Sequence, residues 1–254
     1  MLKSILKRPL QIILCCVVFL VAVVATAPAS LIIPAGNALP DGIRFGSITG
    51  TIWSGVVHNV SVSGADAGDV TYKTNALSLL LGRLEARVSG DGADLYGNGV
   101  VSAGLDKKWR ARDLNLNVNL AAIGKRYNFM GAPTKGLASL KLVDLAYAAK
   151  GCAGAEGEVW TDLLHGAVSA FSKEPFDLAG PILCEEGDIK IALTGANAEG
   201  EASVFLVIHP ELRYTVTADV TPQRREVDQA LRLMGFEEGP DGLVYDATGV
   251  FKGV

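Results

Sequence analysis

Three pairs of acids, three histidines and two glycine-flanked tryptophans are the residues from which this 254-residue chain would have to build a reactive site. The acid pairs are Glu156/Glu158, Glu185/Glu186 and Glu237/Glu238. Cleaving a glycosidic bond needs two carboxyl groups facing each other across a cleft, at roughly 5–10 Å. These pairs fall in turns or at strand ends with no aromatic platform beside them, and they read as surface charge. His58, His165 and His209 lie in separate segments, and each reads as an isolated strand-surface or edge residue rather than a ligand. Asp91 and Asp94 suggest a calcium loop but lack its remaining ligands; nucleophile elbow, phosphate loop and zinc-helix motifs are all missing. Asn59, Val60 and Ser61 form a glycosylation sequon by pattern alone. Trp53 and Trp160 have the flat faces that stack on ligands, yet aromatic residues on strands mostly pack against a core, and both read as core residues. Arg224 and Arg225 read as solvated residues at a helix start. The sequence points away from an enzyme and implies neither cofactor nor metal.

The elements that carry these residues alternate with period two. In the clearest, at 113–120, Leu114, Leu116, Val118 and Leu120 alternate with Asn115, Asn117 and Asn119, which predicts a strand with one buried and one wet face. The three asparagines read as that wet face rather than as a binding ladder. Further strands are predicted at 44–52, 56–62, 69–74, 84–88, 99–103, 137–147, 157–164, 182–184, 188–193, 201–209 and 214–220, with glycine-rich turns between them. The stretch 76–81 is a short helical turn or a buried strand. Twenty-nine glycines and few aromatics suit many short strands. One helix is predicted at 222–234. Thr221 would cap it, Pro222 would open it, Val227, Ala230, Leu231 and Met234 form its apolar stripe, and Gly235 ends it. A hairpin-like segment at 243–251 closes the chain. The predicted fold is mainly β: an N-terminal transmembrane helix, then a curved antiparallel sheet or sandwich-like domain with one C-terminal helix. Such a sheet leaves an apolar face as a groove unless a second layer closes it, and both forms stay open here.

Residues 1–9 form a basic tail with Lys3, Lys7 and Arg8, and residues 10–33 then run without a charge. At about 1.5 Å per residue, roughly 20 apolar residues cross a bilayer. The basic flank keeps the tail cytoplasmic and sends the remainder across. A cleaved signal peptide is the competing reading, because Ala25 and Ala27 fit the small-residue cleavage pattern. Pro28 directly after that cut, and the apolar Leu31, Ile32 and Ile33 beyond it, favour an uncleaved anchor. Cys15 and Cys16 read as apolar filler. Residues 34–43 read as a linker and 44–254 as an exported β-rich domain. Removing the three N-terminal cations from a net charge of −4 leaves −7 on the exported part, which argues against a nucleic-acid partner. Two cysteines remain there, Cys152 and Cys184, and in an oxidising compartment they most economically form one disulfide.

The order of these features carries a resemblance. After the basic tail and the single apolar segment comes Gly46-x-x-x-Gly50-Thr51-Ile52-Trp53-Ser54-Gly55, then Gly68-x-Val70-x-Tyr72 and the leucine-rich patch from Leu77 to Leu84. Cys152, Gly157-Glu158-Val159-Trp160 and Cys184 follow, with Trp160 repeating the pattern around Trp53. The chain resembles protein N of the bacterial type II (general) secretion pathway, most densely over 44–90 and 150–195. Tyr72 stands where that family is expected to carry tryptophan. The resemblance marks Gly46, Gly50, Thr51, Trp53, Gly55, Gly157 and Trp160 as family motif residues. It implies a single-pass inner-membrane protein with a periplasmic domain, accessory to the machine that exports folded proteins through an outer-membrane secretin. It implies other type II secretion components as partners and no catalytic residues. A curved, one-sided apolar sheet anchored in a membrane also resembles the AsmA-like periplasmic lipid-transfer proteins, which makes lipid the alternative partner.

Overall fold

A computed structural model of the chain describes residues 15, 16, 19, 22–31, 42–106, 108–124, 136–164 and 176–250. The strands are β1 (Ile43–Arg44), β2 (Ser47–Gly50), β3 (Ser54–Val62), β4 (Ala65–Thr74), β5 (Arg83–Asp91), β6 (Leu95–Gly104), β7 (Trp109–Asn119) and β8 (Leu137–Ala148). They continue as β9 (Gly151–Thr161), β10 (Leu178–Glu185), β11 (Asp188–Asn197), β12 (Gly200–Ile208), β13 (Arg213–Pro222), β14 (Glu237–Glu238) and β15 (Leu243–Val250). The described residues also include the short helices α1 (Ala76–Leu80), α2 (Leu120–Gly124) and α3 (Arg225–Leu233) and a 3-10 turn at Ala29–Leu31. All fifteen strands join one antiparallel sheet, ordered β1-β3 and then sequentially to β13, followed by β15 and β14, with β2 beside β1 on the edge of β3. The tight connections return each strand beside its predecessor, so the chain meanders instead of crossing to another layer. Among the described strands there is one open sheet and no second sheet, which replaces the sandwich-like alternative.

Cross-strand partners share a face, so the register sorts the side chains. Leu95, Val118, Ala138, Thr161 and Leu178 form one row across five strands. The row behind it, on the other face, is Tyr96, Asn117, Ser139, Trp160 and Ala179. One face is therefore apolar along the sheet, and the other carries the asparagines, acids and bases. Two bulges keep the faces pure. In β7 the apolar residues sit at Trp109 and Ala111 and then at Leu114, Leu116 and Val118, a slip of one residue in phase. Asp113 absorbs it, with φ +49°, where the β6–β7 register shifts. Val143 does the same in β8, between Leu142 and Leu145.

Among the described residues, α3 covers the C-terminal third of the apolar face, and α1 brings Leu79 beside Leu84 and Ala86 near the other end. Leu178, Leu193, Ala202, Ala218, Val220 and Leu243 form a buried floor, and Val227 and Leu231 of α3 close over it with Phe236. α3 begins later than predicted. β13 continues through Thr221 and Pro222 because both still pair with β12, and Arg224 stands at the N-cap. Other boundaries move too: β5 runs on to Asp91, β6 starts at Leu95 rather than 99, and β9 starts at Gly151 and stops at Thr161 rather than spanning 157–164. The stretch 76–81 is a helical turn whose start is capped by Asn75. The final segment is a strand, β15, paired with β13 and briefly with β14; Phe251 lies outside the described residues. The predicted membrane segment is described only at residues 15, 16, 19 and 22–31. Among the described residues no helix is long and apolar enough to cross a membrane.

Candidate functional site

The first tryptophan motif builds a tight turn at the start of the sheet. Gly50 adopts φ +104°, and a Cβ on it would lie 2.5 Å from the Ser54 carbonyl oxygen, so glycine is the residue that fits. A Cβ on Gly55 would lie 2.6 Å from the Tyr72 hydroxyl. Thr51 Oγ1 accepts from the backbone N–H groups of Trp53 and Ser54, at 3.3 and 3.4 Å, and holds the turn. Gly46 is less constrained, its nearest neighbour being the Asn59 side chain at 3.2 Å.

This turn receives residues 24–28, from the C-terminal part of the apolar run at 10–33. Trp53 Nε1 donates to the Val24 carbonyl at 3.0 Å, the Ile52 N–H donates to the Ala27 carbonyl at 3.0 Å, and Pro28 bridges to Thr51. Trp53 is half-buried and outside the core of the sheet, contrary to expectation. Its indole instead joins the N-terminal segment to the body. Beneath it lies a cavity of about 320 Å³, walled by Ala29, Ile52, Trp53, Leu79, Leu84 and Ala86, with Tyr72 and Thr74 completing the wall. Burial pushes the Tyr72 phenol above its ordinary pKa and keeps it a neutral donor.

The second motif does something else. Gly157 faces Leu142, whose Cδ2 lies 2.8 Å from where a Cβ would stand. Trp160 is also half-buried and also outside the core, on the polar face, beside Asn117, Ser139, Lys141 and Glu158 around a depression of about 420 Å³. Alternation decides this: Val159 and Thr161 take the apolar side, so Trp160 must take the other. The two motifs do not meet. β3 and β9 are six strand spacings apart, roughly 29 Å.

Cys152 and Cys184 are joined as a disulfide, with Cα atoms 5.5 Å apart. β9 and β10 pair only as far as Gly157 and Ile182, and the bridge holds the two strands together beyond that point.

The histidines are not isolated. His58 Nδ1 is 2.7 Å from Asp69 Oδ2 and its Nε2 is 3.0 Å from Thr49 Oγ1. His209 Nδ1 lies 3.0 Å from Asp188; His165 falls outside the described residues. Sequence reading missed the first trio because its members sit on three strands, at Thr49 (β2), His58 (β3) and Asp69 (β4), and only the register brings them together. A hydroxyl, an imidazole and a carboxylate in line have the outline of an acyl-transfer triad. Here, however, they stand on the solvated face, with the His58 and Asp69 side chains 32% and 50% exposed, and water competes for every bond. The hydrogen bond from His58, helped by the Asn59 N–H, holds the Asp69 carboxyl below its ordinary pKa.

The acid pairs are divided among cations. Glu185 pairs with Lys190, Glu238 with Arg232, and Glu158 stands across from Lys141 on β8. Asp94 accepts from the Asp66 N–H and the Asn119 amide, bracing a turn. Arg224 and Arg225 are exposed, as expected, and Arg224 also meets the buried Glu199 at 3.2 Å. No group of three or more potential metal ligands gathers among the described residues.

Comparison with known proteins agrees with this arrangement. The sequence profile described as "Type II secretion system (T2SS), protein N" matches residues 41–245. The type II secretion system protein N of Vibrio cholerae serotype O1 is 24% identical over 234 residues, covering 89% of this chain and 90% of that protein. The protein of the same name from Aeromonas hydrophila is 25% identical over 252 residues, covering 91% of this chain and 94% of its own length. No solved structure matches significantly. A match that starts two residues before β1, ends within β15 and takes in both tryptophan motifs and the disulfide covers all but the last residues of the sheet, and the chain belongs to the type II secretion system protein N family.

Proposed function

We propose that the protein is a non-catalytic, accessory inner-membrane component of type II secretion, anchored by residues 10–33 with its sheet in the periplasm. The observation that carries this reading is the docking of residues 24–28 on the Trp53 turn. It ties the sheet directly to the C-terminal part of the apolar run, the kind of attachment a body held at a membrane surface needs. A role in type II secretion follows from family membership. Contact with other components of the machine would use the two open edges of the sheet. Among the described residues β14 pairs with Leu243 and Val244 of β15 alone, and the rest of that edge would accept a partner strand through main-chain hydrogen bonds.

The test is site-specific photo-crosslinking in native membranes, with the probe at Ser47 on one edge or Thr248 on the other. Adducts to other type II secretion components support the reading. Adducts to none of them, from either edge, count against it.

A second reading, lipid handling, is favoured by one observation. Between β5 and β8 the apolar face carries Leu84, Val101 and Trp109 well exposed, and α3 lies far away over β13 and β15.

A further inference from the structure

The polar atoms in the wall of the cavity beneath Trp53 are already engaged. The Tyr72 hydroxyl donates to the Thr51 carbonyl at 2.6 Å, Thr74 Oγ1 donates to the Ile52 carbonyl at 3.0 Å, and the Trp53 indole N–H is held by Val24. The remaining wall is Ala29, Ile52, Leu79, Leu84 and Ala86. A polar occupant would lose its water and gain no partner, so hydrocarbon is the chemistry that fits.

Position selects the kind of hydrocarbon. Ala29 and Trp53 belong to the junction between the N-terminal segment and the sheet, while Leu79 belongs to α1. Around the same end of the sheet Leu77 is 72% exposed, Leu81 71% and Leu105 90%. Phe19, Val23 and Val24 of the N-terminal segment are exposed as well. One environment covers both sets, the bilayer into which that segment leads. Tryptophan favours the membrane–water boundary, with its ring in the apolar layer and its N–H bonded. Exposed Arg83 adjoins the leucines, at a level where it meets lipid phosphate.

We propose that this cavity holds one acyl chain of a membrane phospholipid, admitted between α1 and the N-terminal segment, with Leu77, Leu81 and Leu105 resting in the outer part of the leaflet. The inference rests on the anchored reading given above and is independent of which machine component the sheet edges meet.

The test uses the full chain reconstituted in vesicles of phosphatidylethanolamine and phosphatidylglycerol, doped with a phosphatidylglycerol that carries a diazirine in mid-chain. After irradiation, adducts are mapped by peptide mass spectrometry. The proposal expects adducts on Ile52, Leu79 and Ala86 in addition to those on 10–33. Filling the cavity with Ala86→Trp should remove the first group and leave the second. Leu84→Trp, at a half-exposed wall position that tolerates a larger ring, should do the same and guards against a folding defect in the first variant. Adducts confined to 10–33 would overturn the cavity and leave the anchor standing. Wall adducts that survive both fillings would overturn it too, by showing general immersion. Adducts nowhere would overturn the anchor and the cavity together.

Discussion

At the scale of single residues, the two glycines of the Trp53 motif make opposite predictions. Gly55→Ala forces a methyl against the Tyr72 hydroxyl, whose own hydrogen bond fixes it in place, and should cost about 1–3 kcal/mol. Gly46→Ala meets only a flexible asparagine side chain and should change stability by less than about 0.5 kcal/mol. Urea unfolding of the full chain in mild detergent separates the two. The Asp69 carboxyl, held below its ordinary pKa, contributes stability that is complete above the usual carboxylate range. That stability is lost as pH falls through its folded value. Asp69→Asn should flatten the pH dependence of unfolding in that acidic window by lowering stability at neutral pH while leaving it nearly unchanged at low pH. The disulfide closes a separation of 32 residues, so replacing both Cys152 and Cys184 by serine should lower stability by roughly 3–4 kcal/mol in the chain-entropy model. Equal unfolding midpoints with and without reductant would contradict a bonded pair. Much of this scale was hidden in the sequence: the Thr49–His58–Asp69 line and the Arg224–Glu199 pair depend on register and on burial of one partner.

At the scale of elements, α3 covers the C-terminal part of the apolar face. Leu231→Ala, at 2% exposure, should cost about 2–5 kcal/mol, whereas Leu233→Ala, at 89% exposure, should stay within about 0.5 kcal/mol. A similar loss for both would mean that α3 does not pack where the structure puts it. Period-two alternation made the strands legible, and 113–120 is the clearest example. The same signal failed at 109–112, because the apolar phase slips by one at Asp113 and a strict alternation test ends the strand there. The start of α3 was misplaced for a related reason. Thr221 and Pro222 have the chemistry of a helix start, but their ladder partners on β12 hold them in the sheet. The side chosen by Trp160 was legible in Val159 and Thr161, yet the habit of placing tryptophan in a core overrode it.

At the scale of the whole molecule, the described residues form a meander of fifteen strands with one apolar face and an N-terminal attachment at Trp53, a platform for which we propose a place at a membrane. Family membership gives that platform its setting in type II secretion. Its mainly β character and its meander were readable from strand spacing, and the single sheet was not, because hydrophobic alternation looks the same in an open sheet and in a sandwich. The exposed Leu84, Val101 and Trp109 on the apolar face keep lipid handling as the rival use of the same architecture. The measurement that separates the two is deletion of the chain in its native host, scored together for cargo enzymes in medium and periplasm and for outer-membrane permeability. The expected result is cargo trapped in the periplasm behind an intact barrier, with export restored by the wild-type chain. Normal secretion through a leaky outer membrane would contradict the secretion role.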